Sequence, residues 1–186
     1  MHPCFFGYGS LVNRDTHSYT AASRARLAGW RRRWVYTESR GLAFLSVVPD
    51  AHTSIDGLIA EVPNADWAAL DAREYGYERI ASGDSVTHPR DAATQVSHYS
   101  VPQHTWVAGA DQHILLSYLD VVVQGYLREF GAGGVAEFFA TTDGWDTTVL
   151  NDRAAPRYPR AQSLSTQETA LVDQHMALRN VTITQG

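Results

Sequence analysis

Apolar positions fall into short blocks in the first half of the chain and into a helical repeat in the second. Pro3–Tyr8 is an apolar-aromatic run stopped by glycines, which predicts a buried first strand. Trp30–Thr37, Ala43–Val48 and Ile55–Val62, each bounded by Gly, Pro or Asp, predict further strands of one sheet. Asn64 is placed to cap a short helix from Ala65 to about Tyr75, and Tyr77–Ala81 and Gln95–Val101 return to strand-like patterning.

Beyond about Asp111 the period changes. Ile114, Leu115, Tyr118, Leu119, Val122, Tyr126, Leu127 and Phe130 recur at spacings of three and four, predicting an amphipathic helix over 112–130. Gly131-Ala132-Gly133-Gly134 should end it, and Val135–Ala140 predicts a short second helix. A loop holding Pro156 and Pro159 follows. Ser165-Thr166-Gln167-Glu168 then has the form of a capping box, opening a last helix to about Arg179. Strands first and helices afterwards, without repeats or low-complexity tracts, predict one α+β domain over 1–186, with 111–186 a helical extension packed on 1–110.

Composition narrows the chemistry. All 15 basic residues are arginine, so no lysine is present to form a Schiff base, anchor pyridoxal phosphate or serve a P-loop. The single cysteine, Cys4, rules out an intrachain disulfide and a multi-cysteine zinc site, and its apolar neighbours mark it as a buried packing residue. A net charge of −5 does not suit a nucleic-acid or polybasic membrane-surface partner. No window approaches the roughly 18 apolar residues of a membrane span. The start, Met1-His2-Pro3-Cys4-Phe5-Phe6, lacks the basic and apolar regions of a leader, so a cytoplasmic protein is expected. The eight histidines show neither an H-E-x-x-H pattern nor a close pair, so no metal site is expected. Asp143-Gly144-Trp145-Asp146 lacks the rest of a calcium loop and predicts a turn.

Two segments carry candidate chemistry. In Phe6-Gly7-Tyr8-Gly9-Ser10-Leu11, alternate glycines let the backbone turn and present successive N–H groups to a carboxylate or oxyanion. The same residues are equally consistent with a ligand-free turn. In Leu70-Asp71-Ala72-Arg73-Glu74-Tyr75-Gly76-Tyr77, helical spacing puts Glu74 on the face of Trp67 and Leu70. A carboxylate on an apolar stripe either has its pKa pushed towards neutrality, which suits proton shuttling, or is paired, here with Arg73 or Arg79. Tyr77 either orients a ligand through its hydroxyl or is structural. Arg153, Arg157 and Arg160 sit in the proline-containing loop, either as a guanidinium patch for a carboxylate or as a solvated surface.

In order and spacing, F-G-Y-G-S-L followed by L-D-x-R-E-x-x-G-Y resembles the γ-glutamylcyclotransferase-like superfamily, most closely its ChaC-type branch. Arg31-Arg32-Arg33-Trp34 and Ser39-Arg40-Gly41 look like that branch's second-strand region, and the likeness spans about the first 80 residues. The resemblance implies a mixed β-barrel with flanking helices for the catalytic core. It also implies Glu74 as acid/base, with Tyr8, Gly9, Ser10, Leu11 and Tyr77 binding substrate. The implied reaction needs no cofactor: a γ-glutamyl small molecule cyclises to 5-oxoproline and releases an amine. The same fold would also serve a non-catalytic ligand-binding module or a γ-glutamyl amide hydrolase. Two departures, the short Gly41-Leu42-Ala43-Phe44 connection and the segment after Asp111, set the chain apart from the glutathione-specific enzymes of that branch.

Overall fold

The computed structural model describes residues 3–38, 41–91, 93–107 and 112–186. Ser39 and Arg40 of the second-strand motif, and Asp111 at the expected change of character, lie outside these residues. The elements run in order β1 (Cys4–Gly7), β2 (Ser23–Val35), β3 (Phe44–Glu61), α1 (Trp67–Arg73), β4 (Glu78–Ala81), β5 (Val86–Thr87) and β6 (Val96–Ser100). They continue with β7 (Ile114–Leu115), α2 (Leu116–Ala140), β8 (Thr142–Asp143), β9 (Val149–Asn151), α3 (Thr166–Ala177) and β10 (Ile183–Gln185). The expected α+β order is therefore present.

Seven strands form one curled mixed sheet in the order β4-β6-β1-β3-β2-β5, with β8 on β2. The β1–β6 and β2–β8 pairs are parallel. The apolar first strand lies between β3 and β6, and all four of its residues are buried. A second sheet, β10-β9-β7, lies on the C-terminal side.

The two expected strands at 43–48 and 55–62 are one long β3, which pairs with β2 from Ser23↔Ile59 to Val35↔Phe44. Pro49-Asp50 does interrupt the pairing without ending the strand: the register passes from Ala28↔Ser54 to Trp30↔Pro49. Asp50–Thr53 therefore bulge opposite Gly29, with Asp50 accepting from His52 N–H and Thr53 Oγ1. Gly29, at φ 79, supplies the left-handed residue that this irregularity requires.

Asn64 does not cap α1. It sits at φ 55 inside a 3-10 turn, and Asp66 caps the helix by accepting from the Ala69 N–H at 3.1 Å. Helix α2 starts at Leu116, not at 112, because Ile114 and Leu115 are taken up by β7. The glycine run ends the first helical segment at Gly131, whose φ 70 and ψ −171 are not helical, and a second segment follows to Ala140 as expected; α2 denotes the two together. The capping box of α3 is complete: Glu168 N–H donates to Ser165 Oγ at 3.2 Å, and Ser165 N–H donates to Glu168 Oε2 at 2.7 Å.

Leu119, Val122, Val123 and Tyr126 of α2 share one buried cluster with Phe6, Leu27, Leu45 and Ile59 of the sheet. At roughly 1.5–3 kcal/mol per fully buried large side chain, this stripe ties the C-terminal helices to the barrel. Cys4 is buried, and burial pushes its thiol pKa up. No helix among the described residues is long and apolar enough to cross a membrane.

Candidate active site

Where β1 ends, Gly9 starts a 3-10 turn over Ser10–Val12. The Val12 and Asn13 N–H groups bond back to Gly9 O and Ser10 O, both at 3.0 Å. Of the other amides of the turn, that of Ser10 bonds the Tyr118 hydroxyl at the cavity. The turn is held from below as well: Asn13 Nδ2 donates to Val121 O at 3.0 Å and to Gln124 Oε1 at 2.9 Å, pinning it to α2. Gly9 sits at φ −114° and ψ −130°, not in the left-handed region. It makes room: a Cβ there would lie 2.6 Å from the Tyr118 hydroxyl.

Glu74 is the C-cap of α1, one residue past the helix, with its N–H on Leu70 O at 2.9 Å and its carbonyl accepting from Tyr77 N–H at 3.0 Å. The helix thus ends at the cavity and delivers the carboxylate there. Its side chain is 19% exposed, and Oε1 lies 3.3 Å from Arg73 Nε. Arg73 also reaches the Tyr19 hydroxyl at 3.1 Å and stacks on that ring. Arg79, the other expected partner, turns away to Asp71 (3.6 Å) and to the Trp67 ring.

Tyr8, Gly9, Ser10, Leu11, Tyr77 and Glu74 line one small cavity, together with Leu45, Tyr99 and Tyr118. The cavity continues into an open cleft of about 190 Å³, walled by Phe44, Glu74, Tyr75, Tyr118, Tyr158 and Arg160. All six candidate residues are therefore brought together, but not all present what the sequence suggests. The Tyr8 hydroxyl points into the protein and donates to Tyr99 O at 2.7 Å. The Tyr77 hydroxyl donates to Leu45 O at 3.0 Å, so that ring is a wall of the cavity anchored at its tip.

Tyr118 belongs to the site although its spacing marks it for the packing stripe. Its phenol reaches the glycine turn, held edge-on between Trp34 and Tyr158 at centroid distances of 6.0 and 5.0 Å. Burial pushes its pKa well up, as do the neighbouring Tyr77 and Tyr158, while a hydrogen bond from the Ser10 backbone pulls it down. The sequence signal was a tyrosine in the packing stripe, whose hydroxyl needs a polar partner when buried.

The arginine loop divides. Arg160 lines the cleft. Arg153 does not: it bonds both oxygens of Asp120 at 2.7 and 2.8 Å and Asp173 at 2.8 Å, clamping the loop to α2 and α3. Among the described residues no cluster of three or more His, Cys, Asp or Glu side chains is arranged to hold a metal ion.

The solved structures that share this architecture give its class. One described as a gamma-glutamyl cyclotransferase matches at TM-score 0.59 and 12% identity, covering 94% of this chain and 99% of its own. An uncharacterized protein from Homo sapiens matches at 0.58 and 12%, with coverages of 91% and 97%. YkqA from Bacillus subtilis matches at 0.56 and 16%, covering 77% of this chain and 56% of its own. The fold is thus that of the γ-glutamylcyclotransferase-like superfamily. The model of the ChaC-like protein family matches residues 4–117, and the chain belongs to that family. No curated protein sequence matches it significantly. Tyr118, Tyr158 and Arg160 all lie beyond the family match.

Proposed function

We propose that the protein is a γ-glutamyl cyclotransferase in which Glu74 moves the protons. The observation that carries this reading is the meeting of Glu74 and the Gly9–Leu11 turn around one cavity. A γ-glutamyl compound brings its own nucleophile. Glu74 takes a proton from the α-ammonium, and the amine attacks the δ-carbonyl to close a five-membered ring. The carbonyl oxygen takes up negative charge, which amides of the glycine turn stabilise. Collapse breaks the C–N bond as Glu74 gives its proton to the departing amine. The carboxylate, ionised again, takes the second proton from the ring nitrogen and passes it to the released amine, which leaves as an ammonium ion. The products are 5-oxoproline and a free amine. Holding the chain folded makes the attack intramolecular, worth up to about 7–11 kcal/mol when orientation is good. Every step uses groups of this chain and of the substrate, so the reaction calls for no cofactor.

The substrate places its γ-glutamyl end in the small cavity and its leaving group in the open cleft beside Tyr158 and Arg160. Incubation with a panel of γ-glutamyl peptides and γ-glutamylamines, scored for 5-oxoproline by mass spectrometry, tests the reading. Release of glutamate instead would make the protein a hydrolase. The contact of Arg73 with Glu74 favours a second reading, a ligand-binding module in which that carboxylate is only an ion-pair partner. Binding without turnover across the panel would support it.

A further inference from the structure

Of the three arginines in Arg31-Arg32-Arg33, the alternation of β2 turns the middle one inward. Arg31 pairs with Asp50 and Asp143, and Arg33 lies against Trp106. Arg32 is fully buried, and its guanidinium has no carboxylate partner among the described residues. Its partners are all neutral: Tyr8 O at 3.2 Å, Asp56 O at 2.5 Å, Thr141 Oγ1 at 2.8 Å and the Tyr126 hydroxyl. The Tyr126 and Phe138 rings stack on it at 4.9 and 5.2 Å.

A buried cation without a counter-ion is costly, and packing alone is met more cheaply by an apolar side chain of the same volume. What distinguishes this one is the carbonyl it holds. Tyr8 O accepts directly from Arg32 Nε, so the Tyr8–Gly9 peptide is polarised by the buried charge. The Tyr126 hydroxyl lies 2.9 Å from the same carbonyl and shares its one hydrogen with Asp56 O at 2.6 Å. That peptide is trans, which sets the Gly9 N–H opposite to the carbonyl, on the side away from Arg32. Gly9 lines the cavity with Glu74, and Arg32 does not.

We infer that Arg32 is the positioning residue of an anion subsite: its buried charge, relayed through the Tyr8–Gly9 peptide, makes the glycine turn a binding place for a carboxylate or oxyanion. The inference rests on the cyclotransferase reading and adds what makes a turn of neutral amides selective for negative charge. In low dielectric, a charge one peptide away from the ligand is felt strongly.

The test compares 5-oxoproline, an anion, with its neutral amide, binding of both being followed by calorimetry. The wild type should prefer the acid. Arg32→Gln should lose roughly tenfold in affinity for the acid and hold the amide within about twofold, since an electrostatic relay acts on charge alone. Equal weakening of both ligands, or none, overturns the inference. Should Arg32→Gln fail to fold, Arg32→Lys decides. A buried ammonium has a lowered pKa, so its preference for the acid must fall between pH 6 and pH 10 while that of the wild type stays level. The Tyr126 phenol, pushed up to about 12 by burial, remains protonated throughout. A preference matching the wild type at every pH overturns the inference. The substrate panel separates the two failures: a protein that forms no 5-oxoproline and binds neither ligand refutes the reading of the site, and the inference with it.

Discussion

Adding one methyl group at Gly9 tests the geometry of the site most directly. The new Cβ would lie 2.6 Å from the Tyr118 hydroxyl oxygen, 3.6 Å from Leu45 Cδ2 and 3.8 Å from Tyr118 Cζ. Ordinary contact begins near 3.4 Å, so the oxygen or the turn must move by about 0.8 Å. Tyr118 cannot swing freely, since Trp34 and Tyr158 stand edge-on to it. The turn is also tied, through Asn13, to α2. Overpacking of this kind typically costs 1–3 kcal/mol. For a chain of this size, about 2–4 °C of Tm is lost per kcal/mol, so Gly9→Ala should melt roughly 2–12 °C lower. A displacement approaching 1 Å at a binding element can cost on the order of a hundredfold in rate, so kcat/KM for 5-oxoproline formation should fall by about that factor. Removing the hydroxyl leaves only ordinary contacts, Leu45 Cδ2 at 3.6 Å and the ring at 3.8 Å, so Tyr118→Phe should restore much of the lost Tm in the double variant. The assay is a double-mutant cycle on Tm and kcat/KM. Gly9→Ala with near-normal activity, or strictly additive effects of the two substitutions, would refute the argument.

Further expectations concern the carboxylate, the loop and a buried imidazole. Glu74→Gln should lower turnover by about 10²–10⁴-fold with circular dichroism and Tm near those of the wild type; near-normal turnover would remove Glu74 from the mechanism. Arg160→Ala should raise KM roughly threefold to tenfold for γ-glutamyl peptides ending in a carboxylate and leave γ-glutamylamines almost unchanged, because the exposed guanidinium meets only an anionic leaving group. Arg153→Ala should act on stability instead, by about 3 kcal/mol in urea titration, since it strands the nearly buried Asp120; a shift in substrate preference without loss of stability would contradict this. His98 is fully buried against Trp30 and Ser82, and burial lowers its pKa to about 4. The unfolded chain then takes up a proton that the folded chain refuses, so up to about 3 kcal/mol of stability, fully present above pH 6.5, is lost as pH falls towards 4. His98→Phe should flatten that part of the pH–stability curve.

The strand blocks are legible in the sequence because each is apolar and fenced by Gly, Pro or Asp. The continuity of β3 is not, because Pro49-Asp50 has the local chemistry of a turn and does bulge there, and only the pairing with β2 on both sides of the bulge makes one strand of it. Ile114 and Leu115 fit both the helical spacing and a strand, and only pairing with Val149 and Leu150 decides between them. At the site, Glu74 and the glycine turn are legible because their residue types are costly or unusual where they stand. Tyr118 is masked by its own periodicity. Arg153 is masked because its partners lie 33 residues upstream and 20 downstream, beyond any local pattern. The inward arginine of the triplet is visible only once strand alternation has a fixed phase.

The place of β1 has a consequence for how the protein is made. The strand leaves the ribosome before both its neighbours: Cys4–Gly7 pairs with Leu58–Glu61 and Cys4–Phe6 with Val96–His98. At roughly 5–20 residues per second, the N-terminal segment waits about 5–20 s for its second partner. The glycine turn waits longer, since Tyr126 and the Thr141 that holds Arg32 are still to be synthesised. The candidate site is therefore among the last parts of the fold to be completed, and until then an aromatic strand, Cys4-Phe5-Phe6, is open to wrong partners.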